Sequence, residues 1–171
     1  VGIHGNAEVA TPNLDALGQR GTVFDSAYCQ GGMQGAICVP SRATLMTGRN
    51  IFASSAEPTG RRSPATYAIP TGMPTFPELL REAGYRTHAV GKWHNDAASF
   101  ARSFASGDQL MFGGMSDHDA VPVRAFDASG VYPDDAITTA EGFSTDLFAD
   151  AAVRYIEQQE GDQPFLLYVA F

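Results

Sequence analysis

Three times in this chain a capped helical pattern gives way, through a glycine, to a short run that reads as a strand. The first pattern opens on Thr11-Pro12, puts Leu14 and Leu17 on one face and stops at Gly21; Thr22–Tyr28 then alternates like a strand. The second opens on the capping-box pattern Thr75-Phe76-Pro77-Glu78, continues through Leu79, Leu80 and Ala83, stops at Gly84 and leads into a strand over Tyr85–Val90. The third is a longer helix capped by Ser144, with Leu147, Phe148, Ala151, Ala152, Tyr155 and Ile156 in one stripe. It turns at Glu160–Gln163 and ends in a buried strand over Pro164–Phe171. Strand and helix in alternation predict an α/β fold, a mostly parallel sheet with helices on both faces. Ligands of such sheets gather beyond the carboxyl ends of the strands, and Lys92 and His94 fall just past the second one. Between these units, 51–74 reads as a polar surface excursion and 95–142 as mostly irregular.

Length and charge bound the function. With 171 residues the chain can bury one real core. It carries 11 Lys and Arg against 19 Asp and Glu, a net charge of −8, and has no basic tract. A nucleic-acid partner is therefore not expected. No apolar stretch approaches the length of a membrane span, so no membrane partner is expected either. An anionic ligand would have to be held by local cations against the overall field, and Arg42, Lys92 and His94 are the candidates. The chain begins at Val1 and ends at Phe171 within an apolar run. Both ends look cut, so residues 1–171 read as part of a longer catalytic domain. Expressed alone, they are expected to be inactive and poorly soluble.

The chemistry concentrates in Cys38-Val39-Pro40-Ser41-Arg42-Ala43-Thr44-Leu45-Met46-Thr47-Gly48-Arg49. Pro40 suits a first helical turn and Gly48 a helix end, so a thiol sits at the mouth of a short helix with a guanidinium one turn on. Free N–H groups at a helix start face anions, and Arg can grip two oxygens at once. Nucleophile, dipole and arginine on one segment describe a site for an oxyanion ester. Each residue also has a plainer reading: a buried cysteine, a solvated helix arginine, a core histidine at position 94. Cys29 reads as a small buried hydrophobe after a strand, although a Cys29–Cys38 disulfide could close. Thr44 and Thr47 should bond backbone within the helix.

Cys38-x-Pro40-Ser41-Arg42 followed by Leu45-x-Thr47-Gly48 resembles the motif of the type I sulfatases, in the alkaline-phosphatase-like superfamily. Thr11–Leu17, Gly84–Thr87, Gly91–His94 and Pro164–Tyr168 resemble further landmarks of that family, in the family's order and across nearly the whole chain. The resemblance implies a sulfuric ester hydrolase. Its Cys38 is oxidised by a formylglycine-generating partner to formylglycine, whose gem-diol attacks sulfur and then collapses to release sulfate. It implies that Arg42 stabilises the modified residue, that Lys92 holds sulfate oxygens and that His94 assists at the bridging oxygen. His118 either touches the substrate or is a surface-loop histidine.

The resemblance also implies a calcium, or a magnesium, held by aspartates and by modified Cys38. The carboxylate pairs would lie outside this chain, as would a smaller C-terminal subdomain; Asp134-Asp135 is adjacent in sequence but out of order. A small-molecule or carbohydrate sulfate ester is the implied substrate, and a periplasmic or secreted location is favoured. A phosphonate monoester or phosphodiester hydrolase of the same superfamily is the near alternative, and a non-catalytic homologue the distant one.

Overall fold

The computed structural model describes residues 1–32, 37–54 and 68–171. Its main sheet has three strands. β1 (Arg86–Lys92) lies in the centre, with β2 (Ser106–Met111) on one side and β5 (Phe165–Ala170) on the other, all parallel in the order β2-β1-β5. A central strand is covered on both faces, and accordingly every residue of β1 from Thr87 to Gly91 is buried. Pro122–Val123 (β3) and Thr138–Thr139 (β4) add a small antiparallel pair.

Helices cover both faces of the sheet, as the alternation predicts. Adjacent residues of β1 point to opposite sides, so Ala89 and Val90 begin separate cores. Ala89 joins Met46 of α2 (Cys38–Thr47) and Phe100 of α5 (Ala97–Ser103), with Phe104 just beyond that helix. Trp93 stands edge-on to both phenylalanines at 5.5 and 5.7 Å, the offset geometry that ring quadrupoles prefer. Phe100 and Phe104 are fully enclosed, each contributing roughly 1.5–3 kcal/mol by burial. On the opposite face Val90 and Met111 pack against Phe148 and Ala151 of α6 (Ser144–Glu157).

The capping box forms as its sequence dictates. The Thr75 hydroxyl accepts from Glu78 N and the Glu78 carboxylate accepts from Thr75 N, starting α4 (Phe76–Glu82). That carboxylate also takes a 2.7 Å ion pair from Arg102, whose guanidinium donates to the carbonyls of Ile69, Pro70 and Met73. Arg102 thereby fastens 69–73 over the core, and Ile69 is buried there rather than on a surface excursion.

Several expectations need correction. Thr22–Tyr28 is not a strand: it has no strand partner among the described residues, and Phe24 and Tyr28 are exposed. Alternation cannot hold an extended segment whose backbone groups find no neighbouring strand. Cys29, which follows it, is consequently an exposed free thiol rather than a buried hydrophobe, and Cys38 is also free. α1 (Pro12–Arg20) forms, but Thr11 makes no cap bond; its hydroxyl accepts from Gly2 N and donates to Asp15.

The segment 95–142 is not mostly irregular, since it supplies α5, β2, β3 and β4. α5 is short and starts on the Asp96 carboxylate, which accepts from Ser99 N at 2.7 Å. β2 carries Gly107, Asp108 and Gln109, a polar composition that hides a strand from pattern reading. β1 runs on to Lys92, two residues beyond its expected end. Residues 51–54 form α3 (Ile51–Ser54); the rest of the expected excursion over 55–67, and 33–36 of the glycine loop before Cys38, lie outside the described residues.

Candidate active site

The carboxyl ends of β1 and β5, the start of α2 and the loop after β2 meet at one place. Cys38 is the first residue of α2, half-buried, and its neighbour Pro40 occupies the opening turn where no N–H is needed. Gly48 closes this helix in the left-handed conformation (φ 63°). Thr44 and Thr47 donate to the carbonyls of Ser41 and Ala43, as their positions suggest.

Lys92 reaches across from β1. Its ammonium donates to the Gly114 carbonyl and stands 3.7 Å from Cys38 Sγ. A bulge in β2 lies beside this end of β1. The β1–β2 register shifts between Val90 and Gly91, skipping Gln109, which takes a positive φ. Such an irregularity bends the strand that carries the extra residue, here β2. Gly91 has φ 83°, and a Cβ there would fall 2.1 Å from the Ala170 carbonyl oxygen of β5, so only glycine permits the close approach.

Arg42, one turn after Cys38 on the same helix, is held rather than solvated. Its Nη1 donates to the Lys92 carbonyl at 2.8 Å and to the Tyr168 hydroxyl at 2.6 Å, tying α2 to the ends of β1 and β5. Burial pushes the Tyr168 phenol up, with the nearby guanidinium pulling the other way, so Tyr168 accepts as a neutral group. Sequence reasoning did not assign Tyr168. Its signal was there, as the single polar side chain inside the apolar run 165–170.

His94 arrives by a different route from the expected one. Simple strand alternation would align it with Lys92, but the strand ends at Lys92 and His94 adopts φ 61°. Its ring then lies against Gly114, where an added Cβ would come within 2.6 Å of Cε1. Lys92 and His94 therefore converge on Gly114 from two directions. His94 Nδ1 is buried without a hydrogen-bond partner among the described residues. Burial, reinforced by the Lys92 and Arg42 cations, holds this imidazole below the ordinary histidine pKa.

Two open clefts flank the Cys38–Lys92 pair. One, of about 510 Å³, is lined by Cys38, Ser41, Arg42, Leu45 and Tyr168. The other, of about 190 Å³, is lined by Lys92, Gly114, Ser116, His118 and Ser144. His118 thus shares a cleft with Lys92. Ser144 does not cap α6; it is the helix's first residue, and its hydroxyl meets His118 Nδ1 at 2.8 Å.

Among the described residues, no three His, Cys, Asp or Glu side chains gather as a metal site. The Asp134 side chain is exposed and paired with Arg124. The described residues do not fit a calcium.

The family model described as Sulfatase matches residues 1–171. This chain belongs to the sulfatase family. Within that family it is 31% identical to the N-acetylgalactosamine-6-sulfatase of Canis lupus familiaris, over 99% of the chain and 36% of the relative. It is 28% identical to the N-acetylglucosamine-6-O-sulfatase of Bacteroides thetaiotaomicron, over 96% of the chain and 26% of the relative. Arylsulfatase J of Mus musculus is 30% identical, with 100% and 29% covered. The sulfatase chain thus spans roughly a third of the length of these relatives or less.

Solved structures agree on the fold. Ps i-CgsB in complex with k-i-k-neocarrahexaose superposes at a TM-score of 0.69 with 25% identity, covering 98% of this chain and 40% of the other. A protein solved with its substrate D-glucosamine-2-N,6-O-disulfate gives 0.67 with 24% identity, over 99% and 31%. Use of a metal and a formylglycine is general in the sulfatase family.

Proposed function

We propose that the protein is a sulfuric ester hydrolase acting on a sulfated carbohydrate through a formylglycine made from Cys38. The observation that carries this reading is the Cys38 thiol at a helix mouth, 3.7 Å from the Lys92 ammonium and one turn from an Arg42 anchored on both neighbouring strands. The half-buried thiol at the edge of an open cleft fits a residue that a maturation enzyme must reach. Once converted, position 38 supplies a hydrated aldehyde as nucleophile.

The other residues bind and move charge. Lys92 is a point charge beside position 38, suited to holding the negatively charged sulfate oxygens while the departing oxygen takes up the electron pair of the ester bond. Arg42, with Nη1 committed to Lys92 and Tyr168, keeps its remaining donors in fixed directions at the same cleft. His94 can donate a hydrogen bond to the bridging oxygen as the alcohol departs; burial, with the Lys92 and Arg42 cations, lowers its pKa, so its protonated form is less populated but a stronger acid. Calcium, bound by residues outside those described, and a periplasmic or secreted location complete the reading. The relatives named for N-acetylhexosamine 6-sulfates supply the carbohydrate.

The test is mass spectrometry of the tryptic peptide Gly21–Arg42 from the full-length protein co-expressed with a formylglycine-generating enzyme, alongside turnover of 4-nitrophenyl sulfate and an aryl phosphonate ester. An aldehyde at position 38, an unchanged Cys29 and faster sulfate turnover are expected. Preferred phosphonate turnover would move the protein to the neighbouring hydrolases. An unmodified Cys38 under conditions that convert a known sulfatase would leave a non-catalytic homologue.

A further inference from the structure

Resting on the sulfatase reading, we propose that the 190 Å³ cleft beside Lys92 is a subsite for the sugar ring that carries the sulfate, with His118 as the residue that selects it. Lys92 belongs to both sides of this arrangement: its ammonium stands at Cys38 while the same side chain lines the cleft. A sulfate group held between Lys92 and position 38 leaves its alcohol next to this cleft.

His118 is exposed, yet it is fixed in a way that a solvated loop histidine is not. Its Nδ1 bonds the Ser144 hydroxyl at 2.8 Å, and its carbonyl accepts from Ser144 N at 2.8 Å. Its ring stacks on Phe143, with centroids 5.4 Å apart. These contacts anchor the imidazole to the first turn of the 14-residue helix α6. Nδ1 is spent on Ser144, and Nε2 is left to a ligand.

The ligand must suit either imidazole tautomer. If Ser144 donates to Nδ1, Nε2 carries the hydrogen and donates; if Nδ1 donates to Ser144, Nε2 accepts. A sugar hydroxyl both donates and accepts, so it satisfies both cases. Ser116 adds a second hydroxyl, while Met111 and Phe148 supply an apolar wall. Polar groups at the rim over an apolar floor match a pyranose, which has hydroxyl edges and a C–H face. An aryl ester offers His118 no hydroxyl that can both donate and accept.

The experiment uses the full-length, formylglycine-bearing protein and compares kcat/KM for N-acetylglucosamine 6-sulfate with kcat/KM for 4-nitrophenyl sulfate. In His118→Ala this ratio should fall about tenfold, the size of one lost hydrogen bond in a site built for it. Ser144→Ala keeps the imidazole but frees it, so the ratio should fall in the same direction by less. An unchanged ratio in His118→Ala overturns the subsite. In the wild-type protein, titration with unsulfated N-acetylglucosamine should shift the His118 ring resonances, and inorganic sulfate should not. This readout does not depend on the variants folding. Sugar-induced shifts without sulfate-ester turnover would sustain the subsite and remove the sulfatase reading. Turnover without those shifts would do the reverse.

Discussion

Tyr168→Phe removes one hydroxyl and little else, because the ring's packing against Trp93 and Phe104 is retained by phenylalanine. The lost group accepts from Arg42 Nη1 at 2.6 Å. A hydrogen bond to a charged group is worth about 1.5–3 kcal/mol, but Arg42 keeps the Lys92 carbonyl at 2.8 Å, which reduces the expected loss to about 1–2 kcal/mol. Water entering from the open cleft can satisfy the freed nitrogen, so global stability should change by less than that. Arg42's direction should suffer more. The expectation is a kcat/KM on 4-nitrophenyl sulfate lowered about tenfold, with Tm lower by no more than a few degrees. A cycle with Arg42→Lys separates direct from indirect effects, since lysine lacks the planar fork. If Tyr168 acts through Arg42, the double variant should be little worse than Arg42→Lys alone. Full activity in Tyr168→Phe, or additive losses in the cycle, would refute the claim that this pair works as a unit.

Three further outcomes follow from the geometry. Gly91→Ala should lose more than about 3 kcal/mol of stability, read as loss of soluble folded protein, because a Cβ meets the Ala170 carbonyl at 2.1 Å on a backbone with φ 83°. Gly114→Ala should fold but displace His94, whose ring lies 2.6 Å from the added Cβ; kcat should fall about tenfold or more with a smaller change in KM, and unchanged kinetics would separate His94 from the reaction. His88 is buried on Tyr155, and burial depresses its pKa below the ordinary value of 6.5, with Asp108 opposing. The unfolded chain therefore binds the proton first, and stability should hold above about pH 6.5 and decline below it. Urea midpoints between pH 8 and 5 should show that decline, and His88→Phe should flatten part of it.

The parts of this molecule legible in its sequence are those decided by local chemistry. The capping box at Thr75–Glu78 needs only its own turn, so it forms as written. Cys38 and Arg42 share a helix face by spacing alone, and the apolar run over Phe165–Ala170 becomes β5 as its composition suggests. Failures begin where a partner from elsewhere decides. Thr22–Tyr28 alternates as well as many true strands, yet alternation without a neighbour leaves its backbone groups to water. β2 shows the converse: Gly107, Asp108 and Gln109 look like loop, and pairing with β1 makes them a strand. The site follows the same division. That Lys92 and His94 belong together could be read from the chain, but the geometry joining them could not. It depends on a left-handed histidine and a glycine twenty residues downstream whose missing side chain leaves room for the imidazole. Ser144 carries the point furthest. As a helix-opening serine it should satisfy its own helix; the nearby imidazole wins its hydroxyl instead, and a residue placed for folding becomes the mount for one that faces the cleft.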